Sequence, residues 1–341
     1  MKLAVVIINW NGLKLLKKFL DPLIIYTNND AELYIIDNNS TDKSVDYISS
    51  NYPMISIIKN KENYGYAKGY NEGLKEINAD VFCLLNNDVE VTENWLKPLI
   101  KEFLLNANTA AAQPKILNYN NKAYFDYAGA AGGFIDSLGF PYCDGRVHNI
   151  IEKDNDQYNF NKEIFWASGA CFFIRKDIFN SLNGFDESFF SHMEEIDLCW
   201  RILKQNSKVR YIHNSTVYHV GGATLEYDNP RKTFLNFRNS LFTITKNRDK
   251  NLLITLVFKM IIDGLIGVYY LVNFKFLHFF AIIKAHFAFY LKIPELIKKR
   301  QKTNSNLNNL SNLNKTFLLS KYIKLKSVSY THLTLPTIYS V

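Results

Sequence analysis

The sequence predicts an α/β fold in which helices flank a mostly parallel sheet. Four short apolar runs near the N-terminus are rich in Ile, Val and Leu and hardly alternate with polar residues. This composition is typical of parallel strands that are buried on both faces. Segments with helical spacing separate the runs, so strand and helix alternate along the chain. The predicted strands are Leu3 to Ile8, Leu33 to Ile36, Ile55 to Ile58 and Val81 to Leu85.

The segments between and after these strands have the apolar periodicity of helices. Ser40 or Thr41 is placed to cap the second helix, and Pro22 is expected to kink or end the first. After residue 110 the alternation of strand and helix becomes less regular, with glycine-rich turns at Gly129 to Gly133. The predicted helices are Leu13 to Tyr26, Lys43 to Ser50, Tyr66 to Ile77, Glu93 to Leu105 and Glu194 to Lys204, and two later strands are Cys171 to Ile174 and Val209 to Ile212.

The composition excludes a disordered chain and a cysteine-based framework. The chain has 341 residues and 48% hydrophobic content, which is enough to bury one large core or two smaller ones. Its four cysteines lack CxxC spacing, so neither a zinc site nor a disulfide framework is indicated. The N-terminus enters an apolar run without signal-peptide flanks, so we expect the catalytic part to stay in a reducing cytoplasm.

The charge and apolar runs of the C-terminal third predict that it contacts a membrane surface. The net charge is +8, and lysines are interleaved there with long apolar runs. This pattern favours anionic lipid over nucleic acid as the partner. The segment Leu252 to Leu291 is apolar but carries interior charges, which favour helices in the membrane interface or a re-entrant hairpin over two spanning helices. The alternative is a soluble helical subdomain that packs on the core.

Polar clusters follow the carboxyl ends of the predicted strands, where open α/β sheets bind ligands. Asn86, Asn87 and Asp88 come directly after the strand Val81 to Leu85. Because Mg²⁺ and Mn²⁺ prefer oxygen ligands and often combine one carboxylate with substrate phosphates, Asp88 is a candidate metal ligand. The alternative for this cluster is a turn that caps the next helix.

Two further clusters suit a nucleotide ligand. Asp37 ends the second strand, where its carboxylate can accept a hydrogen bond from a base or ribose, and Ser40 and Asp42 offer the alternative of helix capping. In the segment 63–71, glycines allow backbone to approach a ligand closely, and helix-terminal amides favour phosphate. That segment matches neither GxGxxG nor GxxxxGK[ST].

A third group of residues suggests acid–base chemistry. Glu194, Glu195 and Asp197 crowd three carboxylates into four positions, which can raise a pKa toward the range of a general base. The alternative is that they interact favourably with a helix dipole. His219 lies in a polar, glycine-containing segment after a predicted strand, where a neutral imidazole can complete a metal site.

Taken together, these segments resemble the glycosyltransferase family 2 enzymes of the GT-A fold, a nucleotide-sugar-binding fold. The likeness covers about residues 3 to 250 and is greatest to the bacterial rhamnosyltransferase-like branch of cell-surface polysaccharide synthesis. The order and spacing of the segments carry it. They are VVIINWNG (5–12), IIDNNSTD (35–42), NYGYAKGYNEG (63–73), LLNNDVEV (84–91), ASGACFFIRK (167–176), GFDESFF with EEIDLCWR (184–201), HVGGAT (219–224) and NFRNSL (236–241).

The resemblance implies roles for individual residues. Asp37 would contact the pyrimidine of the donor, Asp88 would bind Mg²⁺ or Mn²⁺ on the diphosphate, and His219 would be a second metal ligand. Glu195 falls where the family has the catalytic base, although the Glu194-Glu195 pair replaces the usual Glu-Asp and leaves Glu194 and Asp197 as alternatives. Asn86 replaces the first acid of the family's metal motif. The other expected donor-binding residues are Asn9, Asn11, Asn39, Gly65, Asn71, Asn86 and Asn87.

The expected enzyme is an inverting, metal-dependent glycosyltransferase at the cytoplasmic face of the bacterial inner membrane. It would transfer a sugar, rhamnose being one candidate, from a nucleotide diphosphate to a lipid-linked saccharide. A nucleotidyltransferase and an inactive lipid-binding module are the alternatives. The expected divisions are a donor-binding half (1–110), an acceptor-binding and catalytic half (111–250), a membrane-associated region (251–300) and a poorly ordered tail (301–341), whose last 13 residues resemble translated sequencing-adapter sequence.

Overall fold

A mixed sheet forms the centre of the protein. The computed structural model describes residues 1–27, 30–147, 150–221 and 229–300, and the predicted tail lies outside them. Within these ranges the strands form a nine-stranded sheet and a separate four-stranded one. In chain order they are β1 (Leu3–Asn9), β2 (Glu32–Asp37), β3 (Ser56–Lys59), β4 (Val81–Leu85), β5 (Val89–Val91), β6 (Thr109–Asn118), β7 (Gly133–Ile135), β8 (Pro141–Cys143), β9 (Arg146–Val147), β10 (Ile150–Ile151), β11 (Lys162–Glu163), β12 (Cys171–Arg175) and β13 (Lys208–His219).

Helices cover both faces of the large sheet, and its inward-facing residues fall into two hydrophobic clusters. The helices are α1 (Leu13–Thr27), α2 (Ser44–Asn51), α3 (Gly65–Gly73), α4 (Leu96–Leu105), α5 (Lys176–Ser181), α6 (Glu194–Lys204), α7 (Pro230–Asn247), α8 (Leu252–Val272) and α9 (Phe276–Lys298). The predicted α/β fold with an apolar C-terminal helical region is therefore confirmed.

The strand order explains where ligands can bind. The sheet runs β11-β13-β6-β12-β4-β1-β2-β3, with β5 on β13. Strands β1, β2, β3 and β4 are parallel, so the turns that follow them lie at one edge. Strand β12 runs antiparallel to its neighbours β4 and β6, with Cys171 opposite Leu85, whereas β6 and β13 are parallel to each other, so the sheet is mixed. Residues just before β12 therefore lie at the same edge as the residues just after β4.

The predicted cap of α2 was wrong, and Pro22 does not end helix α1. That helix continues to Thr27, because its buried face of Leu16, Phe19, Leu20 and Leu23 packs on the sheet and outweighs one lost hydrogen bond. Neither Ser40 nor Thr41 caps α2, which starts at Ser44 after Lys43. The Ser40 hydroxyl is used instead by the turn after β1, where it accepts hydrogen bonds from Asn9 and Asn11.

The C-terminal helices form a hairpin with its polar residues inside. On α8 the buried positions follow a four-residue spacing: Thr255, Lys259, Asp263 and Gly267. Lys259 pairs with Asp263, and its Nζ lies 4.5 Å from the ring centroid of Phe140. The outward residues are large and apolar, among them Leu253, Phe258, Leu265, Phe274, Leu277, Phe287 and Leu291. Both helices are long and apolar enough to cross a membrane, by length and composition only.

Candidate active site

Strand pairing brings Asp88 and His219 together. Strand β5 pairs antiparallel with β13, so Val89 lies opposite His219, and the carbonyl of Asp88 accepts a hydrogen bond from the amide of Val220 at 3.1 Å. Asp88 Oδ1 and His219 Nε2 are 3.3 Å apart, and both side chains are buried. His219 is the last residue of a strand longer than the one predicted from the sequence. Of the predicted segment that follows it, residues 222–224 lie outside the described residues.

A second carboxylate, from Asp126, contacts the other ring nitrogen of His219. Asp126 Oδ2 lies 3.0 Å from His219 Nδ1 and also accepts a hydrogen bond from the amide of Ala128 at 2.7 Å. Although burial opposes protonation, Asp88 and Asp126 together raise the pKa of His219 to about 10. The sequence analysis missed Asp126, because it follows an irregular segment and only the fold brings it to the histidine.

The Asp88 and His219 side chains fit a divalent cation that is shared with a ligand. To bind a cation, His219 would lose its Nε2 proton and keep Nδ1–H on Asp126, and an imidazole whose second nitrogen is held by a carboxylate is the usual arrangement of a metal-bound histidine. Two neighbouring ligands of Mg²⁺ lie about 3 Å apart in octahedral geometry, which is close to the observed separation of these two atoms. Within the described ranges, no group of three or more His, Cys, Asp or Glu is arranged to hold a metal. The remaining positions therefore suit diphosphate oxygens and water.

Asn9 connects three of the strand-end turns. It is fully buried, and its Nδ2 donates to Ser44 Oγ at 3.0 Å and lies 3.4 Å from Asp37 Oδ1. Its Oδ1 accepts a hydrogen bond from Asn87 Nδ2 at 3.3 Å. A Cβ at Gly12 would lie 2.3 Å from both Asn9 and Asn87, so only glycine leaves room for this contact. Asn9 therefore positions the donor-side turns from within.

The surface of the same edge carries the other expected donor-binding residues. Asn11 is exposed, and its Oδ1 accepts hydrogen bonds from the amides of Thr41 and Asp42 at 2.7 and 3.1 Å. Asn39 is exposed at the tip of the second turn with a positive φ of 61°. Asp37 is buried below it. These residues line the edge at which a nucleotide would lie.

Gly65 and Asn71 serve packing between α3 and a loop. Gly65 has a φ of +73°, and a Cβ on it would lie 2.7 Å from the carbonyl oxygen of Phe190. Asn71 was expected to contact the donor. Its amide instead pairs with the backbone of Phe185, donating to the carbonyl at 2.8 Å and accepting from the amide at 2.9 Å. In the structure the side chain of Asn71 therefore binds the loop that contains Phe185.

Asp197 is occupied by an internal ion-pair network. It is fully buried and accepts from Arg201 Nε at 2.9 Å, Lys246 Nζ at 2.8 Å and Asn247 Nδ2 at 2.7 Å. Although burial opposes it, Lys246 and Arg201 lower the pKa of Asp197. A carboxylate held ionised by two cations is a poor proton acceptor.

Glu194 and Glu195 begin α6, but their exposure differs. Glu194 is buried, and burial together with Glu195 raises its pKa well above the usual value. Glu195 is partly exposed, and burial raises its pKa to about 7. Of the two glutamates, Glu195 is the more exposed to solvent.

Glu195 lies at the same edge as Asp88. Its carboxyl carbon is 4.0 Å from the position that a Cβ on Gly169 would occupy. The next residue, Ala170, accepts a hydrogen bond at its carbonyl from the amide of Asn86 at 3.0 Å. Asn86 and Asp88 belong to the same turn, so the predicted metal ligand and the predicted base lie at the same edge of the sheet.

Solved structures of glycosyltransferases share this architecture. The chain is similar to S. aureus TarS (residues 1–349) in complex with UDP-GlcNAc, with a TM-score of 0.54 and 14% identity over 88% of this chain and 84% of that one. It is also similar to the mannosyltransferase PcManGT from Pyrobaculum calidifontis in complex with GDP-Man and Mn²⁺, with a TM-score of 0.52 and 12% identity over 86% of this chain and 87% of that one. At these identities the likeness shows the fold.

Sequence relatives agree with the fold. The chain is 25% identical over 248 residues to the low-salt glycan biosynthesis hexosyltransferase Agl10 of Haloferax volcanii, covering 70% of this chain and 73% of that protein. It is 23% identical over 232 residues to the N-acetylglucosaminyl-diphospho-decaprenol L-rhamnosyltransferase of Mycobacterium tuberculosis, covering 64% and 75%. Residues 4–182, more than half of the chain, match the model of glycosyl transferase family 2. The protein belongs to that family of glycosyltransferases and has the GT-A fold.

Proposed function

We propose that the protein is a divalent-metal-dependent, inverting glycosyltransferase that extends a lipid-linked saccharide at a membrane surface. One observation supports this most: the Asp88–His219 pair and the partly exposed Glu195 lie at the same edge of the sheet. The first group suits a cation on a diphosphate, and the second suits a base for the acceptor.

In the proposed reaction Glu195 removes the proton from an acceptor hydroxyl. The oxygen then forms a bond to the anomeric carbon as the bond from that carbon to the diphosphate breaks, which inverts the configuration. Asp88 and His219 would hold Mg²⁺ or Mn²⁺, which when bound stabilises negative charge on the leaving diphosphate. Asp37 and the turn around Asn39 would contact the nucleoside.

The donor and acceptor are assigned by class. A hexose or deoxyhexose on a nucleoside diphosphate suits the relatives, one of which is a hexosyltransferase and another an L-rhamnosyltransferase. The acceptor named for the second relative is a diphospho-decaprenol glycolipid, which supports a lipid-linked acceptor here.

A donor screen tests the proposal. UDP-glucose, UDP-GlcNAc, GDP-mannose and dTDP-rhamnose are incubated with the full chain and Mn²⁺, and release of the nucleoside diphosphate is measured with and without EDTA. We expect metal-dependent release from at least one donor. Release of pyrophosphate from a nucleoside triphosphate, with no donor hydrolysed, would instead identify a nucleotidyltransferase.

The α8–α9 hairpin is the proposed membrane-contacting surface. The middle of α8 is fixed to the catalytic domain, since Lys259 lies over Phe140 and Phe237. The Thr233 hydroxyl and His278 Nδ1 are 2.7 Å apart and tie α9 to α7. A spanning α8 would draw these domain residues into the bilayer, so a hairpin lying in the interface, with its apolar face toward lipid, agrees better with the packing.

Substitution on the outer face should abolish membrane binding without unfolding the protein. Leu265 is 65% exposed on α8, so Leu265→Glu removes apolar area from the proposed contact and adds a charge that anionic lipid repels. In sedimentation with phosphatidylglycerol-containing liposomes we expect the wild type to pellet and a Phe258→Glu/Leu265→Glu variant to stay in the supernatant. Leu105→Glu, at a 70% exposed position on α4, is the matched control and should still pellet. Equal pelleting of all three proteins would rule out the hairpin as the contact.

Asp126 should act on metal affinity through His219. Asp126→Asn keeps the size of the side chain but weakens its hold on Nδ1, and loss of such a supporting group typically reduces metal affinity about 10- to 100-fold. Calorimetric titration of Mn²⁺ in the presence of UDP measures this directly. Asp154→Asn is the control, since Asp154 pairs with Lys115 in the same half of the protein. Unchanged Mn²⁺ affinity in Asp126→Asn would show that the imidazole needs no such support.

A further inference from the structure

The loop before the catalytic helix has a strained backbone. Phe190, His192 and Met193 all have positive φ angles, of 65°, 70° and 73°. Phe190 combines its φ of 65° with a ψ of −57°, and the amide of Ser191 bonds to the carbonyl of Phe189 at 2.8 Å. These values define a γ-turn of the rare, strained kind. Residues other than glycine keep such conformations only where the surroundings hold them, and these places cluster at functional sites.

A buried amide bonds to three carbonyl oxygens of this loop. Asn239 of α7 is fully buried, and its Nδ2 lies 3.1, 2.9 and 2.7 Å from the carbonyl oxygens of Phe189, Ser191 and His192. Its Oδ1 accepts a hydrogen bond from Arg238 Nε at 2.8 Å, which fixes the amide with its nitrogen toward the loop. Arg238 Nη2 also donates to the carbonyl of Phe189 at 3.0 Å. These two residues belong to the NFRNSL segment of the sequence.

The loop connects the donor side to the proposed base. The carbonyl of Phe190 accepts a hydrogen bond from the amide of Tyr66 at 2.9 Å, in the first turn of α3. At its other end, Met193 directly precedes Glu194 and Glu195, and its carbonyl accepts from the amide of Asp197 at 2.9 Å. The backbone that Asn239 holds therefore sets where the first turn of α6 points.

We propose that Asn239 is a positioning residue for Glu195. Its amide stabilises the strained turn and so fixes the carboxylate in the crevice, without contacting substrate. The inference rests on the proposed role of Glu195 as base. It predicts that loss of the amide lowers turnover far more than donor binding, because none of the hydrogen bonds that Asn239 makes within the described residues reaches the donor turns after β1, β2 and β4.

Asn239→Asp is the most informative variant. It is nearly isosteric, so packing is kept, but it replaces the donating amide with an oxygen that faces three carbonyl oxygens. Displacement of a catalytic group by about 1 Å can reduce turnover on the order of 100-fold, and we expect a loss of that size in kcat for Mn²⁺-dependent hydrolysis of the best donor from the screen. Calorimetry with UDP and Mn²⁺ should show an unchanged Kd. Asn236→Asp, an exposed asparagine on the same helix, should match the wild type.

The pH profile separates positioning from general loosening of the fold. Glu194 and Cys199 of α6 and Tyr66 of α3 face Glu195, and its raised pKa comes first from burial. A displaced Glu195 would meet more water, so the acidic limb of kcat should move to lower pH in Asn239→Asp and Asn239→Ala. A structural role alone would lower the number of binding-competent sites in calorimetry and leave both kcat per site and the limb unchanged.

The outcomes distinguish the role of Glu195 from that of Asn239. Wild-type activity in Glu195→Gln would overturn the proposed base and this inference with it. An inactive Glu195→Gln together with wild-type kcat per site and an unmoved limb in both Asn239 variants would overturn the inference alone. A reduced kcat per site, unchanged UDP affinity and a shifted limb would support it.

Discussion

Asp88→Ala should abolish sugar transfer. The substitution removes the carboxylate that faces His219 and with it the proposed main protein ligand for a cation on the donor diphosphate. Stabilisation of charge by such a metal is worth several kcal/mol, so a decrease in kcat/KM of about a thousandfold or more is expected. The measurement is the release of nucleoside diphosphate at saturating Mn²⁺, with Mn²⁺ affinity followed separately by calorimetry.

The control for Asp88 is a neighbouring carboxylate that points elsewhere. Glu90 lies two residues further along and forms an ion pair with Lys122, so Glu90→Gln should keep activity close to the wild type. Full turnover by Asp88→Ala, or by the wild type in excess EDTA, would be incompatible with a cation at this position.

Glu195→Gln should keep the donor but lose turnover. The amide cannot accept the proton of the acceptor, and removal of a general base typically lowers the rate about 10²- to 10⁴-fold. Burial raises the pKa of Glu195 to about 7, and a base must be deprotonated to act. The kcat of the wild type should therefore fall as the pH is lowered through about 7, and this limb should be absent from the residual activity of Glu195→Gln. UDP binding measured by calorimetry should be unchanged.

Asp197→Asn gives the contrasting result. Asp197 binds Arg201, Lys246 and Asn247 in a buried network, and breaking a buried ion pair typically costs about 3–5 kcal/mol of stability. The variant should therefore melt at a lower temperature, and the fraction that stays folded should turn over at near the normal rate. If Asp197→Asn is folded but inactive while Glu195→Gln remains active, the base has been assigned to the wrong carboxylate.

The sequence was most informative where structure is set locally. The parallel strands and the extent of α6 follow from short apolar runs and from periodicity, and they agree with the structure within a few residues. The caps were predicted less well, because Ser40 was committed to Asn9 and Asn11 on the neighbouring turn. A cap depends on which partners the fold supplies, and a local window does not contain them.

The candidate site was predictable in its residue types but not in its contacts. Asp88 and His219 are 131 positions apart, and only the pairing of β5 with β13 places them together. Asp126 gave no local signal, and Asn239 lay in the recognised NFRNSL segment without any indication of its role, since each acts through the backbone or ring of a distant residue. Asn71 is the opposite case. It lies within a recognisable motif, but its amide binds the backbone of Phe185.

The central claim is that one cation binds between Asp88 and His219 on the side of the sheet that carries Glu195. Crystals of the full chain grown with UDP and Mn²⁺, measured for anomalous scattering from manganese, test it most directly. The account predicts a single strong peak within coordination distance of the Asp88 carboxylate and the His219 imidazole, next to the diphosphate and facing Glu195. A diphosphate bound with manganese elsewhere, or with Glu195 on the far side of the protein from it, would contradict the account.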